Sequence, residues 1–347
     1  MKPTIKDVAK LAGVSFKTVS RVINSEPSVD NSLRDKVKDA IKQLNYRPNL
    51  SARHLRGAGA FVGFIYDNPN SHYIVEMQKG ILDECRRCGY ELVIHPCNSK
   101  SPELINEVID LVDNGSLAGL ILAPPLSEDG KFVKELFKHK THFVRVVSGS
   151  EPPHDVSAPC IHVDDNAAAF ELVNYLISLG HKRIAFLSGD PEHSSSGERE
   201  RGYLQALEQV GLEVDQNLII PGTYSFGSGV TRTQSLLSSD SPPTAIVGCN
   251  DEIAAGSVFA ARLGGLQVPD DISVAGFEDS PFSRQSAPPL TTVHQSNSEI
   301  AKSAAAHLIG CLKVMRSGEK PEVEAETKYC PQLVVRESVA PPKNKAS

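Results

Sequence analysis

No stretch of this 347-residue chain stays apolar for the roughly 18 to 20 residues that a helix needs to cross a bilayer, and its N-terminus lacks the apolar core of a secretory signal. Both absences predict a cytoplasmic protein. Paired cysteine spacing is nearly missing as well. Of seven cysteines only Cys85 and Cys88 form a CxxC, inside ILDECRRCGY, with no second Cys or His pair nearby. The pair reads as an incidental feature of a helix in a reducing compartment, so no metal site is expected. The phosphate-binding pattern GxxxxGK[ST] does not occur, and Gly227-Ser228-Gly229-Val230 lacks the spacing of a nucleophile elbow. A non-enzyme without a cofactor is expected.

What is present is charge, and it is segregated. Residues 1–59 hold twelve Lys and Arg against five Asp and Glu, whereas the remainder holds 24 against 37. A basic head on an acidic body is the electrostatic footprint of a nucleic-acid binder. The length suits two or three folding units.

The head begins TIKDVAKLAGVSFKTVSRVIN. Thr4-Ile5-Lys6-Asp7 has the spacing of a capping box and starts a first helix running to about Ala12. Glycine in Ala12-Gly13-Val14 permits a tight turn, and Ser15 can cap a second helix over about Phe16 to Asn24. Its apolar periodicity, with Val14 before it, turns Val14, Val19, Val22 and Ile23 inward and leaves Phe16, Lys17 and Arg21 outside. Lys17 and Arg21 can donate to guanine, and Phe16 can touch a thymine methyl. Asp30 or Ser32 starts a third helix whose Leu33, Val37, Ile41 and Leu44 close a three-helix core. Such a domain could also serve protein contact, but the basic charge and the next segment agree with DNA.

That segment is Tyr46-Arg47-Pro48-Asn49-Leu50-Ser51-Ala52-Arg53-His54-Leu55-Arg56, followed by Gly57-Ala58-Gly59. A helix this short is marginal alone and can fold on DNA, although an ordinary linker helix is the plainer reading. Leu55 can wedge into a minor-groove step beside Ala52, with Arg53 and Arg56 near phosphates. Residues 4 to 56 resemble the headpiece and hinge helix of the lactose/galactose repressor (LacI/GalR) family, and the resemblance extends over nearly the whole chain. It implies that Ser15, Phe16, Lys17, Thr18 and Arg21 serve the major groove, that Leu55 enters the central step of a palindromic operator, and that Asn24 and Asn49 sit at the DNA backbone.

From Phe61 onward, short apolar runs alternate with amphipathic stretches, which predicts parallel sheets with crossover helices. The series restarts at CIHVDDNAAAF, giving two doubly wound lobes that can close over a ligand at the carboxyl ends of their strands. LTTVHQ and the helix after it read as a return to the first lobe, and CPQLVVRES as a return to the second. The expected architecture is a small all-α helix-turn-helix headpiece (1–46), a hinge helix and linker (47–59), and an α/β two-lobed body like the periplasmic sugar-binding proteins. The body divides into an N-terminal lobe (60–160 and 293–324) and a C-terminal lobe (161–292 and 325–340), with a disordered tail (341–347).

Polar residues just after strands are the effector candidates. Asp67 and Asn68 end the first strand, and Tyr73 can offer an aromatic face from the following helix. Ser148 follows HFVRVV. The resemblance implies a ligand-gripping Arg199 three residues before Gly202, an Asn250-Asp251 pair in which Asn250 can donate and accept at once, and an aromatic position at Tyr224. Glu278 stands where the family usually carries Asp, which alters the depth of the pocket. Asp164-Asp165-Asn166 reads instead as a helix cap, and helical spacing turns Arg201 away. The implied protein is an effector-controlled repressor, a homodimer on a palindromic double-stranded operator. The absence of leucine heptads at the C-terminus argues against a tail-mediated tetramer. Hydroxyl-binding residues without a phosphate cradle favour a sugar effector that releases DNA. A purine acting as corepressor remains the alternative, and a sequence-indifferent DNA binder with a vestigial body is a further one.

Overall fold

Thr4 and Asp7 open the headpiece with the expected cap: both the amide and the hydroxyl of Thr4 donate to the Asp7 carboxylate at 2.7 Å. The computed structural model describes residues 3–23, 29–44, 61–67, 72–115, 117–149, 158–317 and 327–343. Helix α1 (Ile5–Ala12) stops where Gly13 takes φ 65°, a left-handed conformation that glycine adopts without steric cost. Helices α2 (Phe16–Ile23) and α3 (Asn31–Gln43) follow, the latter capped by Asp30, which accepts from the Ser32 amide at 2.9 Å. Val8, Val19, Val22, Val37 and Ala40 are buried together, with Val14, Leu33, Ile41 and Leu44 packed against them. The three-helix core is therefore the one that the periodicity predicts. The side chain of Ile23 lies outside the described residues.

Residues 1–58 form one unit and 59–347 another. The body starts with β1 (Phe61–Tyr66), α4 (His72–Cys88), β2 (Glu91–Pro96), α5 (Leu104–Gly115), β3 (Leu117–Leu122), α6 (Gly130–Lys138), β4 (Phe143–Ser148) and β5 (Cys160–Val163). It continues with α7 (Asp165–Ser178), β6 (Ile184–Leu187), α8 (Ser194–Gln209), β7 (Ile219–Ile220), α9 (Phe226–Leu237), β8 (Ala245–Gly248), α10 (Asp251–Leu263), β9 (Ser273–Ala275) and α11 (Pro281–Gln285). It ends with β10 (Thr292–His294), α12 (Asn297–Ser317), β11 (Thr327–Tyr329) and β12 (Gln332–Val334). A parallel sheet ordered β11-β5-β4-β3-β1-β2 forms the first lobe, and a second ordered β7-β6-β8-β9 forms the other. Most of these strands are buried along their length, so they read as continuous apolar runs rather than alternating ones.

The lobe boundaries differ from the sequence expectation. β5, read as the first strand of the second lobe, pairs with β4 in the first sheet through Arg145↔Cys160 to Ser148↔Val163. β11 also joins the first sheet, on β5, although the sequence reading gives 325–340 to the second lobe. LTTVHQ differs in the opposite sense: β10 pairs antiparallel with β12, and Val293 lies in the core around Phe186 and Phe277. The chain thus changes lobe after Val163, between His294 and Asn297, and after Tyr329. A strand-helix-strand pattern looks the same whether its first strand ends one sheet or begins the next, so periodicity cannot place a handover. The expected tail is corrected in part. Lys343 Nζ meets Asp271 at 2.7 Å, and Ala340 O lies 2.9 Å from His181 Nε2, which seats residues 340–343 on the second lobe. No helix among the described residues is long and apolar enough to cross a membrane.

Candidate functional site

In the headpiece, capping decides which side chains remain available. Ser15 Oγ accepts from the Thr18 amide at 3.0 Å and lies 2.9 Å from Thr18 Oγ1, so both hydroxyls are engaged in starting α2. Phe16, 55% exposed, Lys17 and Arg21 stand outward on this helix while Val19 and Val22 turn to the core. An exposed phenylalanine on the same helix as two outward cations costs solvation unless a partner covers it, and a major groove supplies both phosphates and thymine methyls. Asn24, Asn49, Ala52, Arg53 and Leu55 lie outside the described residues.

In the body, a cavity of about 330 Å³ opens where the strands of both sheets end, within the range of small-molecule sites. Tyr73 enters from the first turn of α4, Ser148 from the end of β4, Arg199 from α8, Tyr224 from the segment before α9, Asn250 from the cap of α10 and Glu278 from the segment after β9. Six of the eight effector candidates therefore line one cavity. Asp67 does not: its carboxylate accepts from the Ser99 amide at 2.9 Å and caps the turn after β2. A short acid at a strand end satisfies a neighbouring loop as readily as a ligand. Asn68 lies outside the described residues.

Arg199 is the centre of the cavity's polar network. It is 3% exposed, and its Nε donates to Asp165 at 2.8 Å, its Nη1 to the Cys249 carbonyl at 2.6 Å and its Nη2 to Gln295 at 3.3 Å. The Phe277 ring lies 3.8 Å below the guanidinium, and Glu278 is 3.8 Å away. Burial works against the charge, but Asp165 and its neighbours outweigh it and hold the guanidinium protonated. Asp165 also accepts from Ser148 Oγ at 2.5 Å. Ser148 belongs to the first sheet and Arg199 to the second lobe, so this carboxylate ties the two together. A second tie is Glu128, which accepts from the Ser148 amide at 2.8 Å and the Ser194 amide, at the start of α8, at 3.2 Å. Burial raises its pKa, partly offset by those two amides.

Gly202 explains why the arginine stands three residues before a glycine. A Cβ built there would come within 2.3 Å of the Asn166 carbonyl oxygen, so only glycine lets α8 approach the first turn of α7 this closely. Arg199 lies one turn away on the same face, beside Asp165 of that turn. Asp164 caps α7 through the Ala167 amide at 3.1 Å, as the sequence suggests, whereas Asp165 faces the cavity. Arg201 is exposed and pairs with Glu198.

Glu278 and Asp279 both have positive φ, 102° and 55°, which non-glycine residues rarely adopt. The strain is held by neighbours: the Glu278 amide donates to Val293 O at 2.8 Å, and Asp279 receives Arg336 at 2.6 Å, Ser283 at 2.8 Å and Arg284 at 2.9 Å. Burial opposes ionisation of Asp279, yet these donors hold its carboxyl at about 2. Glu278 behaves oppositely. Burial pushes its carboxyl up to about 7, with Arg199 pulling down and Asp251 and Asp165 pushing up. Asp251, next to Asn250, is fully buried, accepts from Thr292 Oγ1 at 2.5 Å and the Ser280 amide at 2.6 Å, and is likewise pushed up to about 7 by burial. It anchors the Glu278 segment rather than facing a ligand. Asn250 Oδ1 caps α10 through the Ile253 amide at 2.9 Å, which leaves its Nδ2 as the group to offer the cavity.

Sequence reasoning missed Asp165, His193, Glu252, Phe282 and Gln295, all of which line the cavity. His193 and Gln295 follow strands that could have flagged them. Glu252 and Phe282 sit inside helices and carried no such signal. Tyr224 Oη lies 2.7 Å from Ser196 Oγ and 3.1 Å from Ser195 Oγ, so its hydroxyl is engaged and its ring faces the cavity beside His193, 5.7 Å between centroids. The lining carries three carboxylates, Asp165, Glu252 and Glu278, against one guanidinium.

Comparison with known proteins agrees with both parts of the chain. Residues 4–49 match the profile described as bacterial regulatory proteins, lacI family, and residues 173–339 that of a periplasmic binding protein-like domain. The chain is similar to the HTH-type transcriptional repressor PurR of Actinobacillus pleuropneumoniae, with 34% identity over 97% of this chain and 98% of that protein. It is also similar in structure to the lac repressor dimer bound to operator and the anti-inducer ONPF (TM-score 0.73, 26% identity, 98% and 100% of the two chains). A complex of the transcriptional regulator CelR with cellobiose superposes with TM-score 0.72 and 26% identity over 97% of this chain and 99% of the other.

Proposed function

The chain belongs to the lacI family of bacterial regulatory proteins, and from that premise we propose that it is a homodimeric repressor of carbohydrate-utilisation genes, released from a palindromic operator by a sugar. One observation carries the effector reading: Arg199 has its donors committed to Asp165, Cys249 O and Gln295, while the rest of the lining holds two further acids, Glu252 and Glu278, and no second Lys or Arg. Such a lining accepts hydroxyl donors and repels anions, so it favours a neutral polyol over a phosphorylated ligand or an acid. Tyr73, Tyr224 and Phe282 supply apolar faces for the other side of a sugar ring. The CelR neighbour, which holds cellobiose, supports this class.

DNA release follows from linkage. A ligand that binds one arrangement of the two lobes better than another shifts the equilibrium by the ratio of those affinities, and the same coupling must appear in its affinity for DNA-bound and free protein. Dimerisation presents two α2 helices to two half-sites. Phe259 and Leu263, one turn apart on α10, are 46% and 62% exposed, an apolar pair suited to a second copy. In sedimentation experiments Leu263→Glu should weaken the dimer, and an unchanged dimer constant would count against this face.

A purine acting as corepressor is the second reading, favoured by aromatic faces on either side of Arg199 and by the PurR relatives. Thermal-shift screening with sugars and with nucleobases distinguishes the two. Stabilisation by a purine and by no carbohydrate would overturn the sugar assignment.

A further inference from the structure

Three metal-ligating side chains of different kinds converge on the outer edge of the first sheet, away from the cavity. β2 is the edge strand, and His95 and Cys97, two residues apart, project to the same side. Cys97 extends the strand, its amide donating to Tyr66 O at 2.7 Å. Glu107 reaches them from the first turn of α5, with His95 Nε2 2.8 Å from Glu107 Oε1. The imidazole nitrogen, the sulfur and a carboxylate oxygen all lie within 4.8 Å of one another. Cys97 is a free, half-buried thiol whose own contact is a long one, 3.8 Å to His95 O.

We propose that His95 Nε2, Cys97 Sγ and Glu107 Oε1 form a binding site for a borderline-soft divalent cation, zinc foremost, with water completing a tetrahedron. Mixed nitrogen, sulfur and oxygen donors select zinc over magnesium or calcium, which take oxygen ligands. Zinc bonds of about 2.0 Å to nitrogen and oxygen and about 2.3 Å to sulfur place ligand atoms roughly 3.3–3.6 Å apart, so the His95–Glu107 pair, 2.8 Å apart, must open by about 0.5 Å and the sulfur must draw in by about 1 Å. Side-chain rotation at His95 and Glu107 supplies that, since neither is fully buried. On binding, the thiol proton leaves to solvent as the sulfur–metal bond forms, the proton that His95 Nε2 donates to Glu107 is given up to solvent while Nδ1 carries the ring's remaining proton, and the bridging ion replaces that hydrogen bond.

The site would clip α5 to β2 at the root of the segment that carries Lys100. Lys100 Nζ meets Glu192 of the second lobe at 3.1 Å, so the ion would stiffen one end of an interlobe contact. Sequence spacing gives no warning of the site, because residues 95, 97 and 107 match no ligand pattern and the CxxC at Cys85 and Cys88 draws attention elsewhere.

The test is titration of the chelator-treated, reduced full chain with cobalt(II), followed by absorption. The expected result is one cobalt per chain with tetrahedral visible bands and a thiolate-to-cobalt band in the near ultraviolet, all displaced by zinc. Cys97→Ser should abolish the thiolate band, and Glu107→Gln should weaken binding about tenfold or more, at least what loss of an outer-shell partner costs. Should Cys97→Ser fail to fold, His95→Asn with cobalt stoichiometry by equilibrium dialysis takes its place, and it should lose the bound ion. A thiolate band that survives Cys97→Ser, stoichiometry unchanged in His95→Asn, unaltered affinity in Glu107→Gln or no band in the wild type would overturn the proposal.

Discussion

Arg199 and Asp165 are buried together, at 3% and 2% exposure, so the value of the pair lies in its being complete. Arg199→Ala leaves the buried Asp165 carboxylate without its cation, held only by Ser148 Oγ, and urea denaturation should show a loss of about 3–5 kcal/mol in the body. Glu278 makes a pH-dependent contribution. An acid whose pKa rises on folding costs stability when it ionises. Its contribution is neutral below the unfolded value near 4.5, is lost progressively as pH rises to about 7, and stays lost above. Glu278→Gln removes that slope, so the variant should gain stability on the wild type as pH rises from 4.5 to about 7 and keep a constant advantage above, in parallel denaturations. A gap that is flat or runs the other way would show that Glu278 is not the buried acid described here.

At the scale of elements, Gly202 sets how closely α8 lies on α7. Gly202→Ala drives a methyl against the Asn166 carbonyl and the Phe170 amide and should cost roughly 1–3 kcal/mol, seen as a lower denaturation midpoint. Because Arg199 lies one turn away, ligand affinity should fall with it. Much of this scale is legible in the sequence. The headpiece helices, the alternation of strand and helix, and Asn250 stand on local patterns of period, cap and strand end, whereas Arg199 and Tyr224 stand on the family resemblance. What is not legible depends on long-range pairing. The CIHV run carries no mark of which sheet it joins, and Val293 reads as a first-lobe residue until β10 is seen to pair with β12. Asp67 shows the same limit in the site, since its role was decided by Ser99, thirty-two residues away.

For the molecule as a whole, the lobes of the body are joined around the cavity by Asp165, which takes Ser148 and Arg199, and by Glu128, which takes Ser148 and Ser194. A ligand seated there touches both lobes, the arrangement that lets binding shift their relative populations. Glu128→Gln replaces one accepting oxygen with an amide NH2 that faces the Ser148 or Ser194 amide donor to donor, which should weaken effector binding roughly tenfold by calorimetry. The central claim is that occupancy of this cavity governs the grip of the headpiece on DNA. It is tested most directly by measuring operator affinity of the full chain, by fluorescence anisotropy at fixed salt, with and without the sugars that stabilise the body. The account predicts that at least one such sugar weakens operator binding tenfold or more. Operator affinity unchanged by every compound that stabilises the body would contradict it.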